Sequence, residues 1–190
     1  MMLRPDDDAG LYELAALALR GVHPPEQMPF LQPWTDASDD LVRTSVQHFW
    51  RGRAQLTAVD WSVNFLVRHD GRVIGIQELS GKDFAITREV STGSWLSIAH
   101  QRQGYGSEMR AAVLLLAFDH LNATIARSGA FADNAASLRL SEKLGYRTDG
   151  ANTCARRGSN RDPARAGALT LRPSGLDAAS RRTRQLSLSG

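Results

Sequence analysis

Apolar residues recur at helical spacing near the start of the chain and at strand spacing through its middle. The run Leu11-Tyr12-Glu13-Leu14-Ala15-Ala16-Leu17-Ala18-Leu19 reads as a helix, with N-caps offered by Asp6-Asp7-Asp8 and an end at Gly21. Leu41, Val42, Val46, Phe49 and Trp50 mark a second helix, for which Thr35, Asp36 and Ser38 offer caps. Between the two, His23 to Trp34 holds four prolines in twelve residues, which excludes regular helix. Its apolar members Met28, Phe30, Leu31 and Trp34 describe a loop folded down onto something.

Strand patterns follow. Trp61–Val67 and Arg72–Leu79 flank His69-Asp70-Gly71, whose Asp-Gly pair suits a hairpin turn. A polar connection, Gly81 to Arg88, leads to a strand ending near Ile98. A helical run from Ser107 carries Met109, Ala112, Val113 and Leu116, and Ala123–Phe131 reads as a buried strand. A short helix, Asn134–Leu144, ends at Gly145. Tyr146–Arg156 and Ala168–Arg172 supply the last strands around the Gly158–Gly167 loop. The order predicts an α/β protein with a mixed sheet and helices on its faces.

At 190 residues the chain fits one domain with a real core. Residues 1–176 are expected to form it, with 177–190 as a basic, disordered tail. Eight of the 23 Lys and Arg residues but only two of the 20 acidic ones lie in 155–190, so the globular part is mildly acidic despite the net charge of +3. The tail has no aromatics to stack bases, and no nucleic-acid partner is expected. No membrane partner is expected either, because the longest apolar run, Ala111–Phe118, is too short to span a bilayer. The N-terminus lacks a signal-peptide pattern and Cys154 is the single cysteine, so the expected location is cytoplasmic. Cys154 itself reads as a strand core residue. His48, His69, His100 and His120 have no ligand spacing, and no metal is expected.

The chemistry concentrates in Ser94–Leu116, where a strand, the turn Gln101-Arg102-Gln103-Gly104-Tyr105-Gly106 and a helix start follow each other. Such a turn gathers backbone N–H groups at a helix N-terminus, which is a seat for phosphate. A dinucleotide fingerprint is excluded by Met109 at its third glycine position, and a Walker loop by the missing Gly-Lys-Ser/Thr. A turn whose glycines merely permit tight geometry remains open.

Gln-x-x-Gly-x-Gly at Gln101–Gly106 resembles motif A of the GNAT acyltransferase superfamily. Asn134-Ala135-Ala136-Ser137-Leu138-Arg139-Leu140-Ser141-Glu142-Lys143-Leu144-Gly145-Tyr146 resembles its second motif. The chain looks closest to the branch of ribosomal-protein N-terminal acetyltransferases. Its Gly21–Trp34 and Lys82-Asp83-Phe84 segments look like an actinobacterial subgroup with a succinyl-transferring member. The resemblance implies a GNAT fold of six to seven strands with two N-terminal helices, a central coenzyme A-binding helix and a C-terminal helix. It implies an acyl-CoA donor, acetyl-CoA or another such as succinyl-CoA. The acceptor is an amine on a protein N-terminus, a lysine or a small molecule, and a homo-oligomer, favoured as a dimer, is expected.

Residue by residue, the resemblance places Ile98, Gln101, Arg102, Gln103, Gly104, Tyr105, Gly106 and Ser107 on coenzyme A. Gly106 is expected to stand where the phosphates approach. Asn134 and Ser137 meet the coenzyme A arm, with a plain N-cap as the other reading of Asn134. The strands Gly93–Ile98 and Ala123–Phe131 are expected to splay around pantetheine. A bulge near Ser97 would then aim a free N–H at the thioester oxygen. Ser141 occupies the position from which the departing thiolate is protonated, with an ordinary polar-face role as the alternative. The general base is sought among Glu78, Asp83 and Glu89, with Asp83 preferred and a water-relayed base equally open. Met28, Phe30, Trp34 and Phe84 are expected to line the acceptor pocket, and Trp95 to belong to the core. A degenerate domain that binds acyl-CoA as a sensor is the rival reading.

Overall fold

The computed structural model describes residues 1–36, 40–156 and 164–175. Seven strands form one sheet in the order β1-β2-β3-β4-β5-β7-β6. These are β1 (Met2–Pro5), β2 (Asp60–His69), β3 (Arg72–Lys82), β4 (Glu89–Leu96), β5 (Ile125–Phe131), β6 (Arg147–Cys154) and β7 (Ala164–Leu171). Every neighbouring pair is antiparallel except β4 with β5. The helices are α1 (Asp8–Leu19), α2 (Leu41–Ala54), the single turn α3 (Phe84–Thr87), α4 (Tyr105–Leu115) and α5 (Ala135–Lys143). The expected mixed α/β architecture is present. Ser38, most of the Gly158–Gly167 loop and the 177–190 tail lie outside the described residues.

The hairpin turn between β2 and β3 is where the Asp-Gly pair places it. Both Asp70 (φ 49°) and Gly71 (φ 76°) are left-handed, as a two-residue hairpin turn requires. Asp7 caps α1 by accepting from the Gly10 N–H at 2.7 Å. Thr35 and Asp36 do not cap α2: they lie in a separate 3₁₀ turn, and Asp40 precedes the helix without a side-chain cap bond. Two strand boundaries also shift. Met2–Pro5, ahead of α1, pairs with β2 as an edge strand, and β3 runs on through Lys82 where a polar connection was expected.

The sheet has two working faces. Leu11, Leu14, Leu17 and Val46 from α1 and α2 pack on Leu66, Val73 and Ile76. On the opposite face Ala111, Val113 and Leu114 of α4 pack on Leu79, Val90, Ala126 and Leu171. A register shift gives β3 an extra residue at Ile74, so Val73 and Ile76 can share one face while Ile74 meets Met109 on the other. Burying one such leucine contributes about 1.5–3 kcal/mol, so both helix layers hold the sheet firmly. A π-helical turn, Leu116–His120, ends α4.

Candidate active site

The parallel pairing of β4 with β5 spans only Glu89–Ser91 against Ile125–Arg127. Beyond it β4 stays with β3 while β5 stays with β7, so the two strands part and open a fork from Thr92 and Ser128 onward. Backbone groups alternate sides along a strand. The Ser97 N–H donates to the Ile74 carbonyl at 3.0 Å, which turns Ser97 toward β3. Ser97 is therefore no oxyanion donor, and no bulge frees its N–H. Alternation aims Ser94 and Leu96 into the fork instead. The Ser97 hydroxyl is engaged with His100 Nδ1 at 2.7 Å.

The glycine-rich turn crosses the open end of the fork. Gln101 anchors it, donating through Nε2 to the carbonyls of Val22 (2.8 Å) and Leu96 (2.9 Å). Gln103 donates to the Ala99 carbonyl at 2.7 Å. Arg102 (φ 61°) and Gly104 (φ 91°) are left-handed, the conformation that lifts successive N–H groups onto one side. None of the N–H groups of residues 102–106 finds an acceptor among the described residues, whereas those of Ser107 and Glu108 donate to the Gly104 carbonyl. The seat thus comprises residues 102–106, and the Ser107 N–H is spent. Tyr105 packs against His69, with ring centroids 4.9 Å apart. Ile98 is half exposed and its N–H donates to the Gly21 carbonyl.

Gly106, expected where the phosphates approach, also lies close to packing side chains. A Cβ there would lie 2.9 Å from Leu140 Cδ1 and 3.9 Å from Leu96 Cδ1. Its nearest neighbours are side chains of α5 and β4, the closer of them a terminal leucine methyl. Gly104, by contrast, has open space around a Cβ and is required by its positive φ.

Below the fork lies α5. Asn134 caps it, its Oδ1 accepting from the Ser137 N–H at 3.1 Å. Ser141 is fully buried on the inner face of α5. Its Oγ accepts from Arg110 Nη1 at 3.2 Å. Arg110 projects from α4 with 5% of its surface exposed, and also donates to the hydroxyls of Ser128 (3.4 Å) and Ser94 (3.1 Å). Burial pushes its pKa below the ordinary arginine value. Tyr146, next to this cluster, is pushed above its ordinary value by burial and stays a neutral phenol.

The opposite face carries an aromatic wall. His23 meets Phe30 edge-on (5.7 Å), Phe30 lies 5.1 Å from Trp34, and Trp34 lies 5.5 Å from Trp95. Met28 is buried beneath the loop, and its carbonyl accepts from Arg156. Trp95, read from sequence as core, joins this wall while packing on the α1–α2 cluster. Glu78 reaches the same face. It pairs with Gly93, whose missing side chain leaves room for Oε2 2.9 Å from a Cβ position, and Oε1 accepts from the Ser62 hydroxyl at 2.9 Å.

The other acidic candidates are elsewhere. Asp83 and Phe84 follow Lys82, level with Glu89 at the closed end of the fork. Ser94 is five residues farther along β4, about 17 Å at strand rise. Asp83 precedes α3 without a side-chain cap bond, and Phe84 meets Trp61 edge-on at 5.5 Å under the Arg88 guanidinium. Glu89 is clamped by Arg127 at 2.6 and 2.9 Å, which lowers its pKa and leaves it a poor base. Glu78 replaces Asp83 as the carboxylate beside the fork. Arg110 went unnoticed in the sequence, although an arginine amid Met109, Ala111, Val113 and Leu114 is a visible anomaly in an apolar helix.

Comparison with known proteins agrees with this architecture. A ribosomal L7/L12 α-N-protein acetyltransferase, RimL, in complex with coenzyme A superposes with a TM-score of 0.71 at 16% identity over 90% of this chain and 92% of its own. A spermidine N-acetyltransferase from Vibrio cholerae, in complex with CoA and spermine, gives 0.66 at 15% identity over 92% and 96%. A ribosomal-protein-alanine N-acetyltransferase from Brucella melitensis gives 0.66 at 16% over 90% and 99%. The acetyltransferase (GNAT) domain profile matches residues 2–147. With that match across most of its length, the chain belongs to the GNAT acetyltransferase family and is an acyltransferase enzyme.

Proposed function

We propose that this enzyme transfers an acyl group from an acyl-CoA thioester to an amine by direct attack in a ternary complex. The observation that carries the reading is the fork between β4 and β5, which runs from the unspent N–H groups of residues 102–106 toward buried Ser141. The pyrophosphate sits on that seat, with Arg102 adding a charge-assisted contact, and pantetheine follows the fork. The inward N–H groups of Ser94 and Leu96 hold the thioester oxygen as negative charge develops on it. The amine comes from the aromatic wall and loses its proton to Glu78. Ser141 donates a hydrogen bond to the leaving sulfur.

Acetyl-CoA and succinyl-CoA are the donors in this reading. The acceptor is a primary amine of a protein N-terminus, a lysine or a small polyamine, since the similar folds include enzymes named for ribosomal-protein and spermidine acetylation. A cytoplasmic homodimer completes it, and a monomeric mass by light scattering removes the dimer. Thermal stabilisation by acetyl-CoA or succinyl-CoA, with none from NAD or ATP, is the expected result. Absence of any shift with every acyl-CoA tested sinks the reading. Stabilisation without thiol release across a panel of N-terminal peptides, lysine and spermidine makes the domain a sensor instead.

A further inference from the structure

We infer that Arg110 is the counter-charge of the departing thiolate, acting as a positioning residue through Ser141. The inference rests on the acyl-CoA reading above. A guanidinium has only donors, so the hydroxyls of Ser94, Ser128 and Ser141 must all accept from it. Each hydroxyl hydrogen is thereby turned away from Arg110, and none has an acceptor among the described residues. Arg110 Nε is buried and equally without a partner. The cluster therefore holds a full positive charge and spare donors, but no carboxylate. Buried charges in folded proteins are paired, and an unpaired one is costly.

The phosphates of the donor are not the missing anion. Arg110 lies five residues beyond Tyr105, about 7.5 Å down the helix axis, and its side chain is tied to β4, β5 and α5 rather than to the glycine-rich turn. The other titratable group near it, Tyr146, is a neutral phenol bonded to Thr92, and Glu78 lies on the opposite face of the sheet. The anion that the reaction itself creates at Ser141 is the coenzyme A thiolate. The amine lone pair forms the C–N bond and the carbonyl pair moves to oxygen. Collapse reforms the carbonyl and breaks C–S, the pair leaving on sulfur. The amine proton goes to Glu78. Ser141, its oxygen held by Arg110, has its one hydrogen free for that sulfur.

The test reads the thiol of enzyme-bound coenzyme A directly, by the ultraviolet absorbance of its thiolate during a pH titration. Free coenzyme A titrated alongside gives the reference value, and a cation within a few ångströms lowers it by about one unit or more. The wild-type complex is expected to show the lowered value, Arg110→Lys to keep most of it and Arg110→Met to return it upward. Acetyl transfer in Arg110→Met is expected to lose about 10²-fold in kcat with the KM for acetyl-CoA little changed, and Arg110→Lys to recover part. A bound thiol that titrates at the free value in the wild type overturns the inference even where Arg110→Met does not fold. So does an equal thiol pKa in wild type and Arg110→Met. Loss confined to succinyl-CoA overturns it too, by assigning the guanidinium to an acyl carboxylate. Coenzyme A that does not bind at all sinks the functional reading along with it.

Discussion

Gly106→Val separates a packing role from a phosphate-facing one. The Cβ alone comes within 2.9 Å of Leu140 Cδ1, and valine adds two further methyl groups on a branched, stiff side chain. Overpacking of this kind costs about 1–3 kcal/mol, offset by about 0.3 kcal/mol because valine is a somewhat better helix former than glycine. For a domain of this size each kcal/mol moves the melting temperature by about 2–4 °C, so a drop of about 2–10 °C is expected. Leu140→Ala removes the obstructing methyl, and the double variant should regain most of the loss, a coupling that a double-mutant cycle reads directly. Calorimetry gives stability, and titration with acetyl-CoA gives affinity on the same preparations. If Gly106→Val keeps its melting temperature while acyl-CoA affinity collapses, and Leu140→Ala restores nothing, the packing argument is wrong. The residue then faces the phosphates.

Three further outcomes follow from the site. Glu78→Gln is expected to lower kcat/KM about 10²-fold while Asp83→Asn leaves it unchanged; the reverse pattern returns the base to the β3–β4 connection. Ser141→Ala should lower kcat about tenfold or more at constant amine KM, and unaltered turnover removes Ser141 from the chemistry. Glu89, held by Arg127, has its carboxyl pKa depressed in the fold. Its stabilisation is present above the unfolded value, about 4.3, and is lost as pH falls through the lower folded value. Both partners are partly exposed, so the contribution is at most about 1 kcal/mol. Glu89→Gln should lower the melting temperature at pH 7 and lower it progressively less as the pH falls below about 4.3, and an equal loss at every pH refutes the linkage.

What was legible in the sequence is what local chemistry dictates. Left-handed turns, caps and apolar periodicity act within a few residues, so the Asp70-Gly71 hairpin, the Asp7 and Asn134 caps and the glycine-rich turn could all be read directly. What depends on register could not. Glu78 and Asp83 differ by five positions in the chain, and only the β3–β4 pairing shows which lies beside the fork. Ser97 looked free until the direction of its N–H was fixed by Ile74 across the strand. Met2–Pro5 is too short and too exposed to show alternation, so its pairing with β2 left no pattern. Arg110 was hidden differently: its partners come from three elements far apart in sequence.

Among the described residues, the backbone pairing between the β1–β4 half of the sheet and the β5–β7 half is three parallel rungs. Pantetheine, a linear chain with two amides, lies in the acyl-CoA reading where further rungs would be. The donor then serves as a missing strand, and its arrival extends the pairing of β4 and β5 beyond those three rungs. Protection of the amides of Ser94, Leu96 and Gly129 from hydrogen exchange should therefore rise together on binding, although they belong to different halves. An enzyme built this way is stiffest when loaded and loosens as coenzyme A departs, so release of product and relaxation of the sheet are the same event.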